Sequence, residues 1–182
     1  DPEELREVIG AYHRSVAVAV RRFDGFVAKY MGDGVLVYFG FPRAHEDDAE
    51  RAVRAGLALV DAVGELPAPE RLRVRVGIAT GLVVVGDLIG EGASQEQAVV
   101  GETPNLAARL QALAEPDAIV IARATRRLLG NLFELRELGR HEVRGFGEPV
   151  EAWAVEEVSA AEGRFESVRS GRLTGFVGRE YE

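Results

Sequence analysis

The stretch that decides the fold is a pair of apolar runs joined by an aspartate between two glycines. It reads Phe26-Val27-Ala28-Lys29-Tyr30-Met31-Gly32-Asp33-Gly34-Val35-Leu36-Val37-Tyr38-Phe39. An Asp-Gly pair between two strand-like runs is typical of a β-hairpin, because a type I′ turn needs positive φ at both of its central residues. The pattern predicts strands over about 26–31 and 35–40, joined at Asp33-Gly34, with Asp33 at the tip.

A carboxylate at the tip of a hairpin has two interpretations. Mg²⁺ prefers oxygen donors and is often held by one or two carboxylates together with substrate phosphates. Asp-Gly turns are also common for purely structural reasons. The hairpin alone therefore leaves Asp33 as either a metal ligand or a turn residue.

The composition excludes several classes of protein. The chain has 182 residues, 47% of them hydrophobic and 29% charged, which is enough for one sizeable core. It has no cysteine, so disulfides, thiolate metal sites and a cysteine nucleophile are excluded. A net charge of −8 argues against a general nucleic-acid binder. No apolar run has membrane-spanning length and no signal peptide is visible, so we expect a cytoplasmic protein without membrane contact.

The basic residues are distributed unusually. Lys29 is the only lysine, and the other 21 basic residues are arginines. Lysine is a compact point charge that arginine does not replace at a tight site. This one lysine lies four residues before Asp33.

The remaining elements follow from apolar periodicity and from capping residues. We expect an amphipathic helix over 1–23 with Leu5 on its buried face, and a second helix after residue 48. Strands are predicted over 73–78, over 82–86 as a central strand, and over 118–121. Residues 90–97 suggest a flexible flap, and residues 122–129 a short helix. The segments 132–138, 139–145 and 151–155 predict a small antiparallel appendage anchored by Trp153.

A third helix is predicted to begin at Thr103-Pro104, with Thr103 as the N-cap. Asn105 and Arg109 lie one turn apart on one face of it. An amide near the helix N-terminus and a guanidinium one turn later can bind a phosphate and a sugar. Exposed helix residues of these types are also common without any such role.

The histidines show no metal or nucleophile pattern. His45-Glu46-Asp47-Asp48 precedes an apolar-periodic run, and acids in a first helical turn complement the helix dipole, so we interpret this segment as a cap. His13 and His141 are interpreted as isolated residues.

Two separated blocks together resemble the catalytic domain of the class III nucleotide (adenylate) cyclases, as found in bacterial multidomain proteins. The blocks are Lys29-Tyr30-Met31-Gly32-Asp33-Gly34 and Val99-Val100-Gly101-Glu102-Thr103-Pro104-Asn105-Leu106-Ala107-Ala108-Arg109-Leu110. The resemblance covers residues 1–157. It implies an α+β, ferredoxin-like cyclase fold, with helices packed on a mostly antiparallel sheet whose first strand is missing here.

The resemblance also implies roles for four residues and a set of partners. Asp33 matches one of two aspartates that bind Mg²⁺ or Mn²⁺, and Lys29 matches the lysine that contacts the purine base. Asn105 matches the asparagine that orients the ribose, and Arg109 matches the arginine that stabilises charge on the phosphate. The implied enzyme is a homodimer with composite sites, which uses two metal ions to convert ATP to 3′,5′-cyclic AMP and pyrophosphate in intracellular signalling.

Two departures from the family pattern bear on activity. The family's other metal aspartate lies before the opening helix, so we expect these 182 residues alone to have little activity. Ala98 occupies the second base-reading position, where a side chain that can hydrogen-bond to the base is usual. The alternative to an adenylate cyclase is an inactive cyclase-homology module that binds nucleotide or dimerises.

The C-terminal segment predicts a change of domain. Residues 158–172 are polar and are interpreted as a linker. Residues 173–182 include Leu173-Thr174-Gly175-Phe176-Val177-Gly178-Arg179-Glu180, which is similar to the start of the ATPase domain that follows such cyclases in bacterial regulators.

Overall fold

A computed structural model of the chain describes residues 2–89 and 96–159, excluding the side chains of Pro2 and of residues 86–100. The predicted linker and downstream domain lie outside the described residues from position 160 onward. The four helices and eight strands of the described residues are α1 (Pro2–Arg22), β1 (Phe26–Met31), β2 (Gly34–Tyr38), α2 (Asp48–Gly64), β3 (Arg75–Ile78), β4 (Val84–Ile89), β5 (Glu96–Val100), α3 (Glu102–Leu113), β6 (Ala118–Ala122), α4 (Arg123–Leu129), β7 (Phe133–His141) and β8 (Val150–Val158).

The main sheet has four strands in the order β3-β6-β8-β7. The β3 and β6 strands are parallel, whereas β6 with β8 and β7 with β8 are antiparallel. β1 and β2 form a separate antiparallel hairpin, and β4 and β5 form another. The predicted α+β class with a mostly antiparallel sheet is confirmed.

The core lies on both faces of β6, and the packing on one of these faces holds α3 in place. Ile119 and Ile121 pack into a cluster with Val53 of α2 and Leu129 of α4. The alternate residues of β6 point to the opposite face and pack against Leu110 of α3. Side chains alternate across a strand, so a continuous apolar run such as Ala118–Ala122 serves helices on both sides of the sheet.

The predicted C-terminal appendage is wrong. β7 is one continuous strand over Phe133–His141, and β8 pairs with both β7 and β6, so both belong to the main sheet. Gly139, which we expected to begin a new strand, has a φ of 81° at an irregularity within β7. A glycine at a bulge bends a strand without ending it.

The predicted central strand over 82–86 is also wrong. β4 begins at Val84 and, within the part of the chain that the structure describes, pairs with β5 alone, and Leu82 is 94% exposed. Strand pairing here depends on partners distant in sequence, which an apolar run does not specify. Residues 90–95 of the predicted flap lie outside the described residues.

Helix α1 begins and ends close to the predicted positions and packs against α2. Its buried residues are Val16, Ala19 and Val20, whereas Leu5 is 60% exposed, contrary to expectation. Arg51 of α2 pairs with Asp24 and with Asp47 at 2.7 Å each, which ties the end of α1 to the start of α2.

The acidic first turn predicted here is confirmed, with Asp48 and Glu50 in it, whereas the N-cap residue Asp47 makes no side-chain hydrogen bond to the helix N-terminus. α2 begins at Asp48, whose carboxylate accepts the backbone N–H of His45 at 2.7 Å and lies 3.2 Å from the His45 ring. No group of three or more metal-ligating side chains occurs in residues 2–85 and 101–159.

Candidate active site

The hairpin that carries Asp33 turns one residue earlier than predicted. Met31 pairs with Gly34, so the two-residue loop is Gly32-Asp33 and not Asp33-Gly34. Gly32 has a φ of 66°, whereas Asp33 has no positive φ, which is the pattern of a type II′ turn. Asp33 still lies at the tip. Between Lys29 and Met31 the shift moves each cross-strand partner by two residues, so these side chains keep their face of the hairpin.

A bulge at Ala28 bends β1 next to Lys29. Val27 pairs with Val37 and Lys29 with Leu36, which leaves Ala28 as the extra residue. A bulge increases the local twist and changes the direction of the neighbouring side chain. Lys29 is exposed on this bent segment.

Asp33 is exposed, and its carboxylate makes no hydrogen bond or ion pair within the described residues. The negative charge of Asp33 acts electrostatically on Tyr12 of α1. Burial raises the pKa of the Tyr12 phenol above its ordinary value of 10.0, and the negative charge of Asp33 raises it further. The tip of the hairpin therefore lies alongside the middle of α1.

Helix α3, which carries Asn105 and Arg109, lies directly on β3. A side-chain carbon at Gly77 would overlap the backbone of Ala107 and Gln111. Glycine is thus required at this position by the close approach of the helix to the strand.

The start of α3 differs from the prediction. The helix begins at Glu102 with Gly101 as the N-cap. Thr103, which we expected to be the cap, donates its hydroxyl to the carbonyl of Leu82 at 3.1 Å instead. This bond links the start of α3 to the residues before β4, and Pro104 falls within the first turn, where its missing N–H costs nothing.

Asn105 and Arg109 are both exposed on α3, one turn apart, as the spacing predicted. Neither side chain makes a hydrogen bond or ion pair with another described residue. An exposed amide and an exposed guanidinium that bond to no other described residue can both bind a ligand, although ordinary surface residues share such exposure.

The structure groups the four candidates into two pairs. Lys29 and Asp33 lie on the hairpin, which packs against α1, whereas Asn105 and Arg109 lie on α3, which packs against β3 and β6. Each pair is therefore held by a different part of the fold.

Only part of a metal site is present in the described residues. Asp33 offers a hard oxygen ligand at an exposed position, which suits Mg²⁺ or Mn²⁺ as one ligand among several. The donor chemistry fits, but a site would need further oxygen ligands.

Sequence reasoning missed His13. This residue is not isolated: its Nε2 lies 3.1 Å from the carbonyl oxygen of Gly32, and its ring centroid lies 4.4 Å from that of Tyr30. One helix residue packing on a distant turn leaves no periodic signal in a sequence. Ala98 lies on β5, but its side chain is outside the described residues.

The sequence model of the family described as the adenylate and guanylate cyclase catalytic domain matches residues 1–157. The chain belongs to that family. The resemblance drawn from the hairpin block and the α3 block is thereby confirmed, and so is the cyclase fold.

Solved cyclase structures resemble this domain closely. The guanylyl cyclase Cya2 is 32% identical, with a TM-score of 0.79, and the match covers 88% of this chain and 84% of that one. The adenylyl cyclase CyaB from P. aeruginosa is 28% identical, with a TM-score of 0.76, and the match covers 87% and 85%. One neighbour is thus an adenylyl and the other a guanylyl cyclase.

Curated relatives are much longer than this cyclase domain. An uncharacterised protein of Rhizobium meliloti is 32% identical over 186 residues, which cover 100% of this chain but 18% of the relative. An uncharacterised protein of Mycobacterium tuberculosis is 30% identical over 154 residues, which cover 82% of this chain and 28% of the relative. Within residues 2–89 and 96–159, no helix is long and apolar enough to cross a membrane.

Proposed function

We propose that this cyclase domain converts ATP to 3′,5′-cyclic AMP and pyrophosphate, as part of a longer signalling protein. The observation that carries the proposal is the hairpin of this family member, which presents Asp33 in its turn, four residues after the exposed Lys29, with a carboxylate that makes no hydrogen bond or ion pair within the described residues. A metal-binding group and a base-binding group would then lie on one rigid element.

The choice of ATP over GTP rests on Lys29. Its ammonium donates hydrogen bonds and accepts none, so it suits N1 of adenine, which is an acceptor, and not N1 of guanine, which carries a proton. By family resemblance, guanylate cyclases typically place a glutamate there. Ala98 offers no second polar contact to the base, so Lys29 alone would select it.

The reaction is an in-line displacement at the α-phosphate. The ribose 3′-oxygen attacks the α-phosphorus and its hydroxyl proton passes to water, while the bond from that phosphorus to the bridging oxygen breaks and pyrophosphate leaves. When bound, Mg²⁺ or Mn²⁺ would lower the pKa of the 3′-hydroxyl and neutralise phosphate charge. Asp33 is the ligand that this chain would contribute.

Helix α3 would supply the remaining groups. Asn105 would hydrogen-bond the ribose and orient its 3′-oxygen, which lowers the entropic part of the barrier. Arg109, one turn further along, would stabilise the negative charge that develops on the phosphate. Because the hairpin and α3 pairs lie on separate parts of the fold, we propose that two copies form a homodimer, with each site built from the hairpin of one and α3 of the other.

The test is a cyclase assay with ATP and with GTP on the longer protein that contains this domain, in the presence of Mn²⁺ or Mg²⁺. We expect cyclic AMP as the main product. Asp33→Asn should lower kcat/KM by about 10²–10³-fold, the loss seen when one group that stabilises transition-state charge is removed. Asp61→Asn, at an aspartate that is also exposed but lies on α2, is the matched control and should change nothing.

Ala98 favours a second candidate, an inactive cyclase-homology module. That module would bind nucleotide or dimerise without turnover. Nucleotide binding with no cyclic product from the longer protein would establish it, and a main product of cyclic GMP would overturn the assignment to ATP.

A further inference from the structure

His13 joins the middle of α1 to the turn of the hairpin. Its Nε2 lies 3.1 Å from the carbonyl oxygen of Gly32, which is 19 positions further along the chain. A carbonyl oxygen only accepts hydrogen bonds, so Nε2–H is the donor. This contact fixes the neutral tautomer of His13 as the one with its proton on Nε2.

The imidazole ring of His13 is held by two neighbouring aromatic rings. Its centroid lies 4.4 Å from the ring of Tyr30 on β1 and 5.6 Å from that of Tyr12 on α1, both in tilted arrangements. The side chain is half-buried between the helix and the hairpin. Aromatic packing of this kind restricts the ring orientation and so holds Nε2 toward Gly32.

The bonded carbonyl is next to the candidate metal ligand. The peptide unit that carries the Gly32 oxygen also carries the amide nitrogen of Asp33, and that unit is planar. Holding the oxygen therefore fixes the direction in which Asp33 leaves the turn. Gly32, with a φ of 66°, has no side chain that could restrict the turn by itself.

We propose that His13 is a positioning residue, which orders the Gly32-Asp33 turn and thereby aims the Asp33 carboxylate at the metal position. The orientation of the Asp33 carboxylate toward a metal rests on the proposed function, whereas the ordering of the turn by His13 does not. The first part of the test therefore uses no activity at all.

Two substitutions at His13 separate hydrogen bonding from packing. His13→Phe keeps an aromatic ring against Tyr30 and removes the donor, whereas His13→Gln restores an N–H near the position of Nε2. The matched control is His141→Phe, because His141 donates the same kind of bond, from Nε2 to the carbonyl of Leu138 at 2.9 Å, within β7 of the main sheet. Thermal unfolding of each variant establishes that it folds.

The first measurement is the backbone order of Asp33 and Gly34 by ¹⁵N NMR relaxation of the chain itself. We expect His13→Phe to lower the order parameters at these amides, His13→Gln to restore them, and His141→Phe to leave them unchanged. Unchanged order parameters in a folded His13→Phe variant would overturn the proposal.

The second measurement is Mn²⁺ affinity, by electron paramagnetic resonance on the longer protein with nucleotide bound, followed by activity as a function of Mn²⁺. We expect His13→Phe to raise the Mn²⁺ dissociation constant by about 3–10-fold, the range expected for one lost hydrogen bond. The rate at saturating Mn²⁺ should fall less than twofold.

An unchanged Mn²⁺ affinity together with a disordered turn would overturn the aiming role, and so would an equal shift in His141→Phe. Absence of any Mn²⁺ binding in the unmodified protein would instead count against the proposed metal role of Asp33.

Discussion

At the scale of single residues, the charge of Asp33 has a partner in Tyr12 that the spacing does not predict. The phenol lies close enough for the carboxylate to oppose its ionisation, in addition to the effect of burial. A charge near a titrating group changes its pKa in a direction set by sign alone, so Tyr12 can report on Asp33 without any ligand.

We predict that Asp33→Asn lowers the pKa of Tyr12, because the substitution removes the negative charge that disfavours the phenolate. The measurement is the pH dependence of the Tyr12 ring resonances by NMR, with Asp61→Asn as the control. A Tyr12 pKa that does not respond to Asp33→Asn would place the carboxylate away from α1.

The same shift gives stability a pH dependence. The folded-state pKa of Tyr12 is raised above the unfolded value of about 10. The stabilisation from this group is therefore fully present below pH 10, and it is lost as the pH rises through the folded-state pKa, because the unfolded chain ionises first. We expect the free energy of unfolding to fall less over that pH range in Asp33→Asn than in the unmodified chain.

At the scale of elements, α3 depends on one glycine. The helix backbone at Ala107 and Gln111 occupies the space where a side chain at Gly77 would begin. The contact is backbone against backbone, so no side chain can rotate away to make room.

We predict that Gly77→Ala lowers the free energy of unfolding by about 2–3 kcal/mol, since overpacking forces a shift of the helix or the strand. Gly147→Ala is the matched control, because nothing lies within 4 Å of a side-chain carbon there. The measurement is the free energy of unfolding of both variants by chemical denaturation. Equal stability of the two would mean that α3 does not lie as close to β3 as described.

Sequence patterns predict some elements better than others, for physical reasons. α1, α2 and β6 are recovered because each carries an apolar pattern that its own residues determine. The hairpin turn is displaced because glycines flank Asp33 on both sides, so Gly32-Asp33 and Asp33-Gly34 each permit a two-residue turn. β4 and β7 are misjudged because strand partners far along the chain set their ends.

Some residues of the candidate site can likewise be predicted from the sequence, and others cannot. Motif residues such as Asn105 and Arg109 can be found from spacing and resemblance, and their exposure agrees with a ligand-binding role. His13 cannot be found from spacing or resemblance, because its contact with Gly32 exists only after α1 packs against the hairpin.

At the scale of the whole molecule, the two pairs of candidate residues lie on separate elements, with Lys29 on β1 and Arg109 on α3. A site that uses both pairs can be completed by a second copy of the chain. Symmetric dimers of this kind hold two equivalent sites, and each copy contributes a different half to each site.

We predict that Lys29→Ala and Arg109→Ala subunits, each inactive alone, regain activity when they are mixed. A mixed dimer carries both substitutions in one site and neither in the other. Random mixing makes half of the dimers mixed, so up to about a quarter of the original activity should return. Failure of any mixture to regain activity, with dimers present by light scattering, would contradict the shared site.

The exposed position of Lys29 on β1 makes the chain suited to chemical footprinting. Apart from the terminal amine, an acylating reagent meets one primary amine in all 182 residues. The mass of a single peptide would then reveal whether that amine is modified. Protection of it by adenine nucleotides but not by guanine nucleotides would be visible even in a protein that forms no product.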